Sequence, residues 1–296
     1  MDRRALLKGL LSACAYSSLG ASLGLWSQSV FAQKAYSNVT NETPTRFVVG
    51  TSLIADILSD LLPEAKILTL SQGSSCPIHG DMKSQDAFAA SEADMILIHD
   101  FQKKIPAIHG VLTAAAHPGL RLETLQLVGN WMTPPVQKAA SQMIAQCLVK
   151  AFPAITAMVE ANLAQRLIKI DALSLELETE LAPMRGRRVI ASGRQADFLA
   201  WAGFKVEATY MTAQDLSPMA LIQLIRLGRD KGIVAVIDNQ QSGADLGGAL
   251  ASELKIPHVT LSNFPVPNSH ESTFFTLLKA NVDRLSAATS KVAQHP

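Results

Sequence analysis

Cys76, His79, Asp81 and Asp86 crowd one short stretch, Ser74-Ser75-Cys76-Pro77-Ile78-His79-Gly80-Asp81-Met82-Lys83-Ser84-Gln85-Asp86. A thiol, an imidazole and carboxylates are the side chains that transition-metal ions select. The stretch is rich in Gly, Ser and Pro, so it reads as a loop. An apolar run at 65–70 precedes it and reads as a strand. A helical segment at 86–93 and a second strand at 94–98 follow. In α/β proteins, ligands are held by loops at the carboxyl ends of strands. His79 is therefore expected to touch a ligand as a metal donor. Cys76, ahead of Pro77, is read as a small buried residue, with soft metal ligation as its alternative. Asp81 and Asp86 are read as capping the next helix.

Four further polar sites fall where strands give way to loops. Asn130-Trp131-Met132 precedes a long helical region, with Trp131 and Met132 read as packing. Arg194 and Gln195 open a helix after a strand. Free N–H groups there suit an anion, and an arginine repels a bare cation but suits an anionic ligand or metal chelate. Asp238-Asn239-Gln240-Gln241-Ser242-Gly243 is an amide-rich strand end, with Asp238 as its candidate ligand contact. Asn263 closes the last strand. Asn130, Arg194, Gln195, Asp238 and Asn263 are the expected ligand-binding residues. His99, His109, His117, His258 and His270 lack the i, i+4 pairing of a metal site and are read as ordinary histidines.

The elements that must position these residues alternate. Strands are expected at 46–50, 67–70, 95–98 and 120–127, with helices at 53–62 and 86–93. Thr51-Ser52 is placed to cap the first helix. From Val136 to Leu181 there is little β signal. Pro153 separates a helix ending near Lys150 from an unbroken pattern over 154–181, a rod of roughly 42 Å at about 1.5 Å per residue. Strands then recur at 188–191, 205–210, 233–237 and 258–261. Helices are expected at 195–203, 217–228, 243–254 and 272–287. No internal repeat is visible. The expected fold is α/β: two lobes, each a parallel-type sheet flanked by helices, joined by one long linking helix. The boundaries are an N-terminal lobe at 46–133, the linking region at 134–182 and a C-terminal lobe at 183–296.

The first residues read as an export signal. Met1-Asp2-Arg3-Arg4-Ala5-Leu6-Leu7-Lys8 is a basic start, residues 9–26 are moderately apolar, and Val30-Phe31-Ala32 precedes a cleavage point at Gln33. The Arg3-Arg4 pair followed by Leu6-Leu7-Lys8 points to the twin-arginine route. Lipid anchoring at Cys14 is the lesser alternative, because almost no apolar region precedes it. Residues 33–45 read as a flexible leader. Cleavage leaves Cys76 and Cys147, enough for one bridge but not a disulfide framework. No other apolar segment nears the roughly 20 residues that span a bilayer. The net charge of +1 over 296 residues argues against a nucleic-acid partner. Walker A, Gly-x-Ser-x-Gly, His-Glu-x-x-His and Gly-x-Gly-x-x-Gly motifs are missing, so an enzyme is not expected.

This layout resembles the periplasmic zinc- and manganese-binding proteins of ABC importers. Cys76-Pro-Ile-His79-Gly-Asp81 with Ser84-Gln-Asp86 stands where that family carries Pro-His-x-Tyr-Glu-Pro-Thr-Pro-x-Asp. Ala93-Asp94-Met-Ile-Leu-Ile98, Asn130-Trp131-Met132-Thr133-Pro134, Val236-Ile237-Asp238 and Leu261-Ser262-Asn263-Phe264-Pro265 follow in the family's order. The resemblance spans about residues 46–290. It implies a monomeric periplasmic solute-binding protein that takes a transition-metal ion, with no organic cofactor, and passes it to an inner-membrane permease. The donor set departs from the family's. Asn130 replaces a histidine, Ala191-Ser192-Gly193-Arg194-Gln195 offers neither His nor Glu, and Ser262-Asn263 replaces an aspartate. Amides are poor partners for Zn²⁺, so a metal chelate or another small polar ligand stays open. So does a metal-dependent enzyme or metal-delivery accessory on the same scaffold.

Overall fold

Contacts divide the chain into Met1–Thr40 and Asn41–Pro296. The computed structural model describes residues 44–71 and 84–290, all within the second unit. Cys76, His79 and Asp81 lie outside the described residues, as do the export signal and residues 33–43 of the leader.

The described chain builds two four-stranded parallel sheets. The first contains β1 (Arg46–Val49), β2 (Lys66–Thr69), β3 (Met95–His99) and β4 (Arg121–Leu125) in the order β2-β1-β3-β4. The second contains β5 (Arg188–Ser192), β6 (Lys205–Tyr210), β7 (Ala235–Asn239) and β8 (His258–Leu261) in the order β6-β5-β7-β8. Each sheet thus begins on an inner strand, steps outward, and returns past its start. That duplication carries no matching sequence signal, because parallel strands need only apolar residues on both faces.

Helices cover both faces. In the first half these are α1 (Ser52–Leu61), α2 (Ser84–Ser91) and α3 (Pro106–Ala115). α3 is absent from the sequence reading. Gly110 interrupts its pattern, although Pro106 at its first position and buried Ile108, Val111 and Ala115 mark it. α4 (Pro134–Ala151) ends at Phe152-Pro153, where proline supplies no N–H to continue it. α5 (Thr156–Leu181) is a single helix of 26 residues. In the second half stand α6 (Ala196–Trp201), α7 (Pro218–Lys231), α8 (Gly248–Leu254) and α9 (Phe274–Ser290). The helix expected from Gly243 starts five residues later. Gly243 adopts φ 128°, a conformation that no helical residue takes. Ser217 accepts a hydrogen bond from the Ala220 N–H at the start of α7. Thr51 makes no such cap for α1; its hydroxyl is turned to His99 instead.

One buried cluster runs through both halves. It joins Phe47, Val49, Met95 and Leu97 of the first sheet to Val189, Ala191, Ile237 and Leu261 of the second, through residues of α1, α4, α5 and α9. Smaller clusters fill the outer faces, beneath α2 and α3 in one half and beneath α7 and α8 in the other. Among the described residues no helix is long and apolar enough to cross a membrane.

Candidate functional site

The strand ends of both halves deliver polar residues to one junction. Asn130 lies between β4 and α4. Its Oδ1 accepts the Met132 N–H at 2.8 Å and its carbonyl accepts from the Thr133 hydroxyl at 2.9 Å, which fixes a tight turn before the helix. The turn aims Nδ2 at the second half. There it donates to the Arg194 carbonyl at 3.1 Å and to Asn263 Oδ1 at 3.0 Å.

Arg194 and Gln195 follow β5, and Asn263 follows β8. Asn263 Nδ2 donates to the same Arg194 carbonyl at 3.1 Å, and its backbone N–H donates to Gln241 Oε1 at 3.1 Å. Gln195 Nε2 donates to Asn239 Oδ1 at 3.0 Å and to Asn263 Oδ1 at 3.2 Å. Gln195 is fully buried, and its Oε1 has no hydrogen-bond partner. The Arg194 side chain is exposed, so this residue joins the network through its backbone while its charge faces solvent.

Four of the five ligand-binding residues expected from sequence therefore meet: Asn130, Arg194, Gln195 and Asn263. Asp238 is placed elsewhere. Successive strand residues face opposite sides of a sheet, so Asp238 points away from the junction while Asn239 points into it. The Asp238 carboxylate is fully buried. It accepts from the Tyr210 hydroxyl at 2.5 Å, the Gly247 N–H at 2.9 Å and His258 Nε2 at 2.7 Å. Burial and the bonded carboxylate push the Tyr210 phenol well above its usual range. Asn239 and Gln241 complete the network, signalled in sequence only as members of the amide-rich run after β7.

His99 stands at the end of β3, as Asn239 does at the end of β7. Its Nε2 shares a hydrogen bond of 2.9 Å with Thr51 Oγ1. Its ring lies stacked on Phe101 at 5.2 Å and edge-on to Trp131 at 4.4 Å. Burial lowers its pKa to about 4, so it is neutral at physiological pH. Trp131 and Met132 are buried core residues.

The donor set at the junction is neutral. It consists of amide groups and backbone carbonyls, suited to hydrogen-bonding partners and hard cations more than to a soft ion. Among the described residues no group of three or more His, Cys, Asp or Glu side chains is placed to hold a metal ion. An open groove of about 450 Å³ runs between α4 and α5 against Trp201, lined by none of the network residues and with the Lys138–Asp171 ion pair on its wall.

The sequence model of a family described as zinc-uptake complex component A, periplasmic, matches residues 48–288. No curated protein matches the chain. Among solved structures, a crystal structure of ZnuA superposes with TM-score 0.71 at 20% identity, covering 83% of this chain and 100% of that one. The Mn-bound periplasmic metal binding protein from Candidatus Liberibacter asiaticus gives TM-score 0.69 at 17% identity, over 82% of this chain and 98% of that one. The Cd-bound form of that protein gives the same three values and the same TM-score.

Proposed function

Because the chain belongs to the family of the periplasmic zinc-uptake complex component A, we propose that it is the solute-binding protein of an ABC importer. It captures a transition-metal ion of the zinc or manganese class, or a chelate of one, and hands it to an inner-membrane permease. The observation that carries this reading is the convergence of Asn130, Arg194, Gln195 and Asn263 from both halves on one junction. The likeness to structures of Mn- and Cd-bound periplasmic proteins supports a metal as cargo.

In this reading residues 1–32 are the export signal, with Arg3-Arg4 directing the twin-arginine route, and 33–45 are a leader. Residues 46–133 and 183–296 are the lobes, with 134–182 between them. The mature protein acts as a periplasmic monomer. His79 supplies the strong metal donor, the amides of Gln195 and Asn263 line the seat, and Asn130 closes over them from the first half. The exposed Arg194 cation favours an anionic chelate as the second form of cargo, since it repels a bare ion and attracts a carboxylate-clad one.

Calorimetric titration of the purified protein with Zn²⁺, Mn²⁺, Cu⁺ and iron chelates tests this. One of them is expected to bind, and His79→Ala to weaken that binding at least tenfold. Absence of heat with all of them would sink the metal reading.

A further inference from the structure

We propose that the Asn130 amide is an affinity-setting latch: among the described residues it bridges the junction from the first half, and it competes with the cargo for the same oxygens. This inference rests on the reading of the junction as the cargo seat and concerns how tightly that seat holds a metal.

The argument is one of lone pairs. A carbonyl oxygen has two. The Arg194 carbonyl accepts two amide N–H groups, from Asn130 and from Asn263. Asn263 Oδ1 also accepts two, from Asn130 and from Gln195. Both oxygens are therefore saturated by the protein, and one donor, Asn130 Nδ2, takes half of each. A cation cannot coordinate either oxygen while that N–H is in place, because the amide hydrogen presents its own positive end to the ion. Binding at these oxygens requires Asn130 to swing away.

Asn130 is also the member that belongs to the first half of the molecule, so its two bonds to the second half hold the junction shut. Gln195 Oε1, buried and without a partner, sits on the terminal amide whose nitrogen joins this network. A buried acceptor without a donor is costly to keep, and here it belongs to the same amide that donates to Asn263 Oδ1. The apparent affinity of such a seat is its intrinsic affinity scaled by the unlatched fraction.

The sign of the effect separates this from the ordinary alternative. If Asn130 contacted the cargo, its removal would weaken binding; as a latch, its removal strengthens it. Two neutral hydrogen bonds correspond to roughly a tenfold change. Asn130→Ala removes the latch, and Asn130→Ser also removes it while keeping a short oxygen for the Met132 N–H. The exported full chain is titrated with Zn²⁺ and with Mn²⁺ in competition with a fluorescent chelator. Backbone hydrogen exchange over 193–197 is followed without added metal.

Both variants are expected to bind whichever ion the wild type binds about tenfold more tightly, and to exchange faster at 193–197, 64 residues away in sequence from the substitution. Unchanged or weaker metal binding overturns the latch, and so does unchanged exchange. If neither ion binds any of the three proteins, the metal reading of the seat fails. The latch, defined by its competition with that cargo, falls with it.

Discussion

His99 ends β3 with its ring between Phe101 and Trp131 and its Nε2 against Thr51, in a place where protonation has nothing to offset it. Its folded pKa of about 4 lies below the ordinary histidine value of 6.5. The unfolded chain therefore binds this proton more readily than the folded one. The resulting stability is full above pH 6.5 and is lost as pH falls toward 4, about 3 kcal/mol in all. Urea unfolding across pH 4–7 should show that loss, and His99→Phe should flatten the profile. An equal slope in the variant would assign the loss to other groups. At this scale the sequence was informative about residue type and less so about direction. Asn130, Gln195 and Asn263 were legible as polar residues at strand ends, and they meet. Asp238 and Asn239 are neighbours of similar size, and which of them faces the junction depends on the phase of β7. That phase is set by the apolar pair Ile237 and Ala235 packing into the shared core. In a run that is apolar on both faces, periodicity does not reveal it.

The helices meet at a buried charge. Arg166 of α5 is 1% exposed. Its guanidinium pairs with Asp56 at 2.7 Å and with Asp60 of α1, its Nε donates to Ser141 Oγ of α4 at 3.0 Å, and it lies 5.3 Å from the Phe275 ring of α9. Asp56 uses its other oxygen to accept the Phe274 N–H, the first of α9, at 3.1 Å. Desolvation outweighs the attraction of Arg166 and raises the Asp56 pKa, so the pair is costly to bury and more costly to break. Arg166→Ala should destabilise the protein by about 3–5 kcal/mol, because two carboxylates lose their partner. Arg166→Met combined with Asp56→Asn and Asp60→Asn should recover much of that loss in chemical denaturation. A triple variant no more stable than Arg166→Ala would contradict the account. Helix existence was legible where apolar residues repeat without interruption, as in α5. It was not legible in α3, where Gly110 breaks the pattern, nor at the start of α8, where the backbone of Gly243 delays the helix. Arg166 gave no signal of burial, since a lone arginine in a long amphipathic helix reads as solvent-facing until α1 and α4 enclose it.

The two sheets have their own outer cores but share one inner core, which runs from Phe47 to Leu285 through α1, α4, α5 and α9. Lobes with separate cores unfold separately; a shared one forces them to unfold together. Calorimetry should therefore record one transition, with matching calorimetric and van't Hoff enthalpies, and two resolved peaks would refute the shared core. The two-sheet plan was legible from the alternation of elements and from the long helix. The identical strand order of the halves was not, since it resides in pairing and leaves no mark on residue identity. The contact between Asp56 and Phe274 joins residues 218 positions apart. It has a consequence for the order of assembly. The first described helix is completed by the last described one, so during synthesis one oxygen of Asp56 and the flank of α5 that faces α9 reach their final partners only after α9 has been made.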